Sequence, residues 1–248
     1  TIDANGFEVF YENGAVYQLI SVDDSQVNLM FNTYDAYSRL QAVYSADAGV
    51  RLYAYNGFDE LTSLTDGQGD SATLVYDSLG RLTSMSWASG LASFYNFDET
   101  SASNGLGRLT STVNTEGHET YYNYDGYGRL VQRTHQIGGD FFTYGFTFDS
   151  YGRLRRLDYP SSKFGSPFNV VYGYKNGFLS SARDQHSGQV YWERILDDLS
   201  TKISVESFGN GVSTTRLFDE RGLIQRVQTN SGASLLQDLG YDWDQTGN

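Results

Sequence analysis

The sequence predicts an all-β protein of tandem β-hairpins, laid side by side as one continuous, curving antiparallel sheet. Its 248 residues include 27 Gly, 20 Tyr, 15 Phe and 3 Trp but only 2 Pro. Aromatic side chains suit pleated surfaces and Gly supplies the positive φ of tight turns, so this composition is one of strands and hairpins. A pattern of aromatic, Asp, two variable residues, Gly, Arg and Leu also recurs in step along the chain. No apolar run approaches the ~18 residues of a membrane-spanning helix.

The elements follow in chain order. Residues 1–33 are a degenerate lead-in, in which Tyr11-Glu12-Asn13-Gly14 reads as one further weak copy. Copies begin at Tyr34, with Asp35, Arg39 and Leu40, and at Tyr55, with Asn56 and Leu61. The next starts at Tyr76, with Asp77, Gly80, Arg81 and Leu82. Phe97 and Asp98 are followed, after an insertion, by Gly107, Arg108 and Leu109. Two full copies come next: Tyr124, Asp125, Gly128, Arg129 and Leu130, then Phe148, Asp149, Gly152, Arg153 and Leu154. Tyr174 with Gly177 and Leu179, Leu196-Asp197 without its aromatic, Phe218 with Asp219 and Gly222, and Trp243 with Asp244 and Gly247 complete the array. The starting positions step by 21, 21, 21, 27, 24, 26, 22, 22 and 25 residues, about two strands and two turns each. No linker divides this single array over 1–248, and the absence of an initiator Met reads as a fragment of a larger protein.

One unit explains itself. An Asp three residues before a Gly can accept backbone N–H groups inside the turn, and the Gly closes the loop in the left-handed conformation. Runs such as Ser71–Tyr76 before the turn and Leu82–Trp87 after it are β-prone. In the second strands, apolar pairs stand three apart, as in Leu40/Val43, Leu61/Leu64, Leu82/Met85, Leu154/Leu157 and Ile224/Val227. That odd spacing places them on opposite faces unless a bulge intervenes. A lone hairpin is marginal, so stacked neighbours must supply the core, with mostly buried repeat aromatics contributing about 1.5–3 kcal/mol each. The Arg of each copy either stacks on an aromatic or bonds the Asp of its own or a neighbouring turn.

At these residues the chain resembles the YD-repeat, or rearrangement-hotspot (Rhs), family, over nearly its whole length from about Tyr34. The Tyr-Asp-x-x-Gly-Arg-Leu signature carries the resemblance, as does the Gly209-Asn210-Gly211-Val212 segment. It implies a β-sheet spiralling into a hollow shell, which in bacterial toxins encloses a C-terminal toxic polypeptide, and which also occurs in cell-adhesion proteins. The Asp-Pro core motif that precedes cleavage in toxin members is not found, so autoproteolysis is not carried over. Asn56 and Lys175 replace the Asp, Asp59 the Gly and Glu60 the Arg, so those turns are expected to depart from the rest.

Several chemistries are excluded or disfavoured. With no Cys there are no disulfides, thiolate metal sites or Cys nucleophiles. Lys plus Arg number 17 against 30 Asp plus Glu, and the formal net charge of -13 repels nucleic-acid phosphates and anionic membranes. His118, His135 and His186 lack helical metal-pair spacing, and no nucleophile elbow, zinc-protease helix or phosphate loop occurs. His118 beside Glu119 and His186 near Asp184 read as solvated turns. Thr65–Asp70 lacks the spaced acids of a calcium hand and reads as a turn. Glu193 with Asp197-Asp198 lacks the opposed placement of glycosidase carboxylates.

The sequence thus points to a non-enzymatic, secreted or cell-surface shell segment of a bacterial parent, needing no cofactor. The resemblance implies a C-terminal passenger polypeptide and neighbouring shell repeats as partners, and the unpaired ends favour self-association of the isolated piece. A rival reading is a carbohydrate-binding adhesion module using exposed aromatics such as Trp87 and Trp192. An outer-membrane barrel shares the acidity and aromatics but needs an outward apolar band, which the Thr-Ser pairs after the turns oppose.

Overall fold

The computed structural model describes residues 8–24, 28–161, 167–197 and 202–244. Asp198 and Gly247 of the sequence analysis lie outside these. The fold is all-β: the described residues form 21 strands in an antiparallel sheet and no helix. The chain divides into two compact units, residues 1–122 with 135–140 and residues 123–134 with 141–248.

In the first unit the strands are β1 (Val9–Asn13), β2 (Leu19–Asp24), β3 (Asn28–Tyr34), β4 (Leu40–Ser45), β5 (Gly49–Tyr55) and β6 (Leu61–Thr65). They continue as β7 (Ser71–Tyr76), β8 (Leu82–Trp87), β9 (Ala92–Phe97), β10 (Leu109–Asn114) and β11 (Glu119–Tyr124), whose last two residues fall in the second unit. Each pairs antiparallel with the next, a meander of hairpins. Strand β12 (Leu130–Ile137) contributes to both units.

The second unit continues with β13 (Asp140–Phe148), β14 (Leu154–Asp158), β15 (Asn169–Lys175), β16 (Phe178–Asp184) and β17 (Val190–Asp197). It ends with β18 (Ile203–Phe208), β19 (Val212–Phe218), β20 (Ile224–Ser231) and β21 (Ser234–Gly240). From β13 to β21 the same nearest-neighbour pairing holds.

The odd apolar spacing has a uniform cause. Tyr76 faces Leu82, Val75 faces Ser84 and Leu74 faces Met85, so Thr83 is an extra residue on the second strand. This bulge restores parity and returns Leu82 and Met85 to one face, the face of Tyr76, Leu74 and Ala72. The same slip occurs at Tyr34, Tyr55, Phe148, Tyr174 and Phe218. Expected opposite in a regular strand, the two residues therefore share the aromatic face.

Register also corrects two copies. Asn13 faces Leu19 as Tyr76 faces Leu82, so Asn13 rather than Tyr11 holds the aromatic position of the lead-in copy. Asp197 faces Ile203 in the same way, so Asp197 rather than Leu196 stands there in the later copy.

Only Ala42, Ala72, Leu74 and Val170 are fully buried apolar residues among those described. The repeat aromatics, expected mostly buried, are half-buried instead. A ring on an open sheet is sheltered by its strand neighbours at the sides while its outer face stays free, so each gains less than full burial would provide.

Candidate functional site

The repeated feature able to do something chemically specific is the turn with its bulge. Asp77 shows its construction. Its N–H donates to the Arg81 carbonyl at 3.0 Å and its carbonyl accepts from Gly80 N–H at 3.0 Å. One carboxylate oxygen accepts from the Leu79 and Arg81 N–H groups at 2.9 and 3.0 Å. The other takes Arg81 Nε at 2.7 Å. Gly80 stands at φ 74°, a conformation cheap only for glycine.

Asp35, Asp125 and Asp149 repeat all of this with Arg39, Arg129 and Arg153. Asp219 keeps the two N–H bonds but pairs with Arg221. Gly128, Gly152 and Gly222 take φ values of 80°, 78° and 78°, while Ser38 occupies the same slot at 68°. The Asn56 turn, expected to depart, is preserved: its amide oxygen accepts from Phe58 and Glu60 N–H, and Asp59 adopts φ 66°. The Lys175 turn does depart, closing through only Asn176 and Gly177 at φ 51° and 85°.

The insertion after Phe97 keeps the closure, Asp98 N–H donating to the Arg108 carbonyl at 3.2 Å and Gly107 N–H to the Asp98 carboxylate. Arg108 turns into its own loop, donating to the Asn104 and Leu106 carbonyls. Thr65–Asp70 proves to be another copy of the turn on the opposite edge, Asp66 accepting from Gln68 and Asp70 N–H.

The arginines do both things that the sequence left open. Arg81 bonds Asp77 of its own turn, reaches Asp98 of the next at 2.8 Å, and lies 4.4 Å over the Phe97 ring. Arg39 likewise bonds Asp35 and Asp59 and lies 4.8 Å over Tyr55. Arg129 covers Phe148 at 4.4 Å, Arg153 covers Tyr174 at 4.3 Å, and Lys202 covers Phe218 at 5.2 Å. Each cation thus bridges two successive hairpins, a contact of ~0.5–2 kcal/mol depending on desolvation.

These contacts set the titration of the turns. The Arg81 backbone N–H, its guanidinium and the Leu79 N–H hold Asp77 below the usual carboxylate range against partial burial. At Asp35 burial pushes upward, but the Arg39 side chain with the Arg39 and Tyr37 N–H groups prevails, and the carboxyl is lowered. Asp98 is lowered chiefly by Arg81.

The aromatic face also carries polar groups. Glu206, 8% exposed, accepts from Trp192 Nε1 at 2.7 Å and from Arg216 at 2.5 Å. Trp192 is therefore half-buried and tethered, while Trp87 lies across from Ala72. Glu193 pairs with Arg183, and Asp197 with Arg194. His118 and His186 donate backbone N–H groups to Asn114 and Asp184 within turns, and His135 meets the Thr120 hydroxyl at 3.0 Å. Among the described residues no group of three or more His, Asp or Glu is placed to hold a metal ion.

Sequence reasoning passed over one set of residues. The third residue after five of the repeat aromatics, treated as variable, is large, apolar and projecting: Tyr37, Phe58, Leu79, Tyr127 and Tyr151 are 74–86% exposed. Aligning the copies shows this as a column of Tyr, Phe and Leu at the turn tip.

No curated protein matches the chain. Among solved structures, TcdB2-TccC3 without its hypervariable C-terminal region aligns over 100% of this chain with TM-score 0.78 and 18% identity. The TcdB2-TccC3-Cdc42 crystal structure aligns over 98% with TM-score 0.77 and 18% identity. The Photorhabdus luminescens Tc holotoxin pore aligns over 97% with TM-score 0.75 and 17% identity. This chain spans only 13–14% of the length of those chains, and the likeness is one of fold. The Teneurin YD-shell family model matches residues 18–194. With its in-step Tyr-Asp turns, its bulged hairpins and that match, the chain belongs to the YD-shell family.

Proposed function

We propose that this chain is a wall segment of a β-shell in a longer, secreted or cell-surface bacterial protein, and that the shell encloses or presents a C-terminal polypeptide, of toxic character by analogy with the Tc structures. The role is structural rather than catalytic. The observation that carries this reading is the bridging cation: at five junctions an Arg or Lys of one hairpin lies on the ring of the next, as Arg81 lies on Phe97 while pairing with Asp77 and Asp98. Such stitching serves a wall that must keep its continuity over many repeats. The end strands β1 and β21, paired on one side within their units, are proposed to continue into neighbouring shell repeats, and to pair with another copy when the piece is isolated.

Limited proteolysis of the full-length parent tests enclosure. A passenger sheltered by the wall resists digestion until the shell is unfolded, and one cleaved as fast as the free polypeptide overturns the reading.

A further inference from the structure

The two edges of the first unit differ in a way that hairpin closure does not require. On one edge the turn tips carry Val16, Tyr37, Phe58, Leu79 and Leu106, exposed by 61, 79, 85, 74 and 81%. On the other, the corresponding tips are Asp47, Gln68, Ser89 and Glu116, all exposed. The Asx turn occurs on both edges, its tip residue contributing a backbone N–H to the Asx side chain, as Phe58 does to Asn56 and Gln68 does to Asp66. Its side chain is not needed for the turn. Polar tips satisfy one edge, so the fold alone does not account for a row of five apolar tips on the other.

The row is regular. Successive turns on one edge are two strands apart, about 10 Å. Between two teeth lies a notch: a cavity of about 380 Å3 lined by Tyr37, Arg39, Tyr55, Asn56, Gly57 and Asp59. Gly57 has open space where a side chain would begin. The Arg39 guanidinium lies 5.1 Å from the Tyr37 ring and 4.8 Å from the Tyr55 ring, presenting cation and aromatic surface together. An aromatic ring, which can lie against both a guanidinium and another ring, is the complement of such a notch, and the molecule that offers apolar tips at the same pitch, Tyr37 and Phe58 among them, is another copy of this chain.

We propose that this edge is a self-recognition surface, in which the teeth of one copy seat in the notches of a second copy related by a two-fold axis. Covering the five teeth buries on the order of 700 Å2 per copy, close to the ~800 Å2 per partner of a specific interface. An isologous contact of this kind closes as a dimer. It is independent of whether the shell encloses a passenger.

Sedimentation velocity over a concentration series tests it, in a Phe10→Lys, Leu236→Lys background that charges both end strands and blocks pairing through them. The chain in that background is expected to dimerise. Replacing Tyr37, Phe58 and Leu79 by Ser should weaken dimerisation on the order of 100-fold while circular dichroism stays unchanged. Because the chain has no Cys, a single Phe58→Cys should oxidise to a covalent dimer, and Ser89→Cys on the polar edge should not. A background chain that stays monomeric, a triple variant that dimerises as well as its parent, or equal cross-linking from the two edges overturns the proposal. A monomer that instead binds phosphatidylcholine vesicles through these teeth overturns it in favour of a bilayer.

Discussion

The Tyr76 hydroxyl donates to the Leu61 carbonyl at 3.0 Å, tying one hairpin to the hairpin before it. Tyr34 does the same to Leu19, Tyr55 to Leu40 and Tyr174 to Leu154, at 2.8, 3.0 and 2.8 Å. Trp243 achieves it with its indole N–H, 2.7 Å from the Ile224 carbonyl. The accepting residue opens the second strand beside its bulge, so the bond pins the irregular point of one hairpin to the aromatic of the next.

Replacing Tyr76 by Phe keeps the ring and removes that bond. The cost should be about 1 kcal/mol in urea unfolding, the usual worth of one such hydrogen bond. Phe97→Ala should cost more, because it strips Arg81 of the ring on which it lies.

Gly69 stands at φ 87° and has open space where a Cβ would be, so Gly69→Ala isolates backbone strain. A loss of about 1 kcal/mol is expected. Ser38, at φ 68° in the equivalent slot of its own turn, should give the mirror result, Ser38→Gly raising the melting temperature.

Gly67, in the same turn as Gly69, faces a different constraint. A Cβ there would stand 1.6 Å from the Ala48 carbonyl oxygen, backbone that has no flexible end to withdraw. Gly67→Ala should therefore destabilise well beyond Gly69→Ala, and thermal unfolding of the two single variants decides the order.

Acid should loosen the turns. The folded-state carboxyls of Asp35, Asp77, Asp98, Asp125, Asp149 and Asp219 all lie below the usual value of 3.8. Asp238 falls to about 2 under Arg226 and Gln228. A depressed carboxyl stabilises fully above its unfolded pKa and loses that contribution as pH drops through the folded one. Stability should thus be flat from neutral pH to ~5 and fall progressively below ~4. Asp77→Asn should reduce the steepness of that fall, and because Asn56 already serves this turn, it should disturb folding less than Asp77→Ala.

The turns were legible because their hydrogen bonds are local. Asp77 is satisfied entirely within four residues on its C-terminal side, so residue types at fixed offsets carry the information. The two misframed copies lacked that signal, since Asn13 and Asp197 occupy the aromatic position and only strand pairing reveals it. The apolar tips were legible as a column but invisible to a turn argument, which assigns their side chains no task.

Residue order alone therefore settled the class of fold, the hairpin unit and the place of each intact Asp turn, because propensity and short-range hydrogen bonding decide them. Strand pairing decided the rest. The shared face of Leu82 and Met85 depends on a bulge, the partnership of Arg81 with Phe97 on an adjacent hairpin, and the row of exposed tips on alternate turns meeting at one edge. Each joins residues whose proximity arises from register rather than from neighbouring positions in the chain.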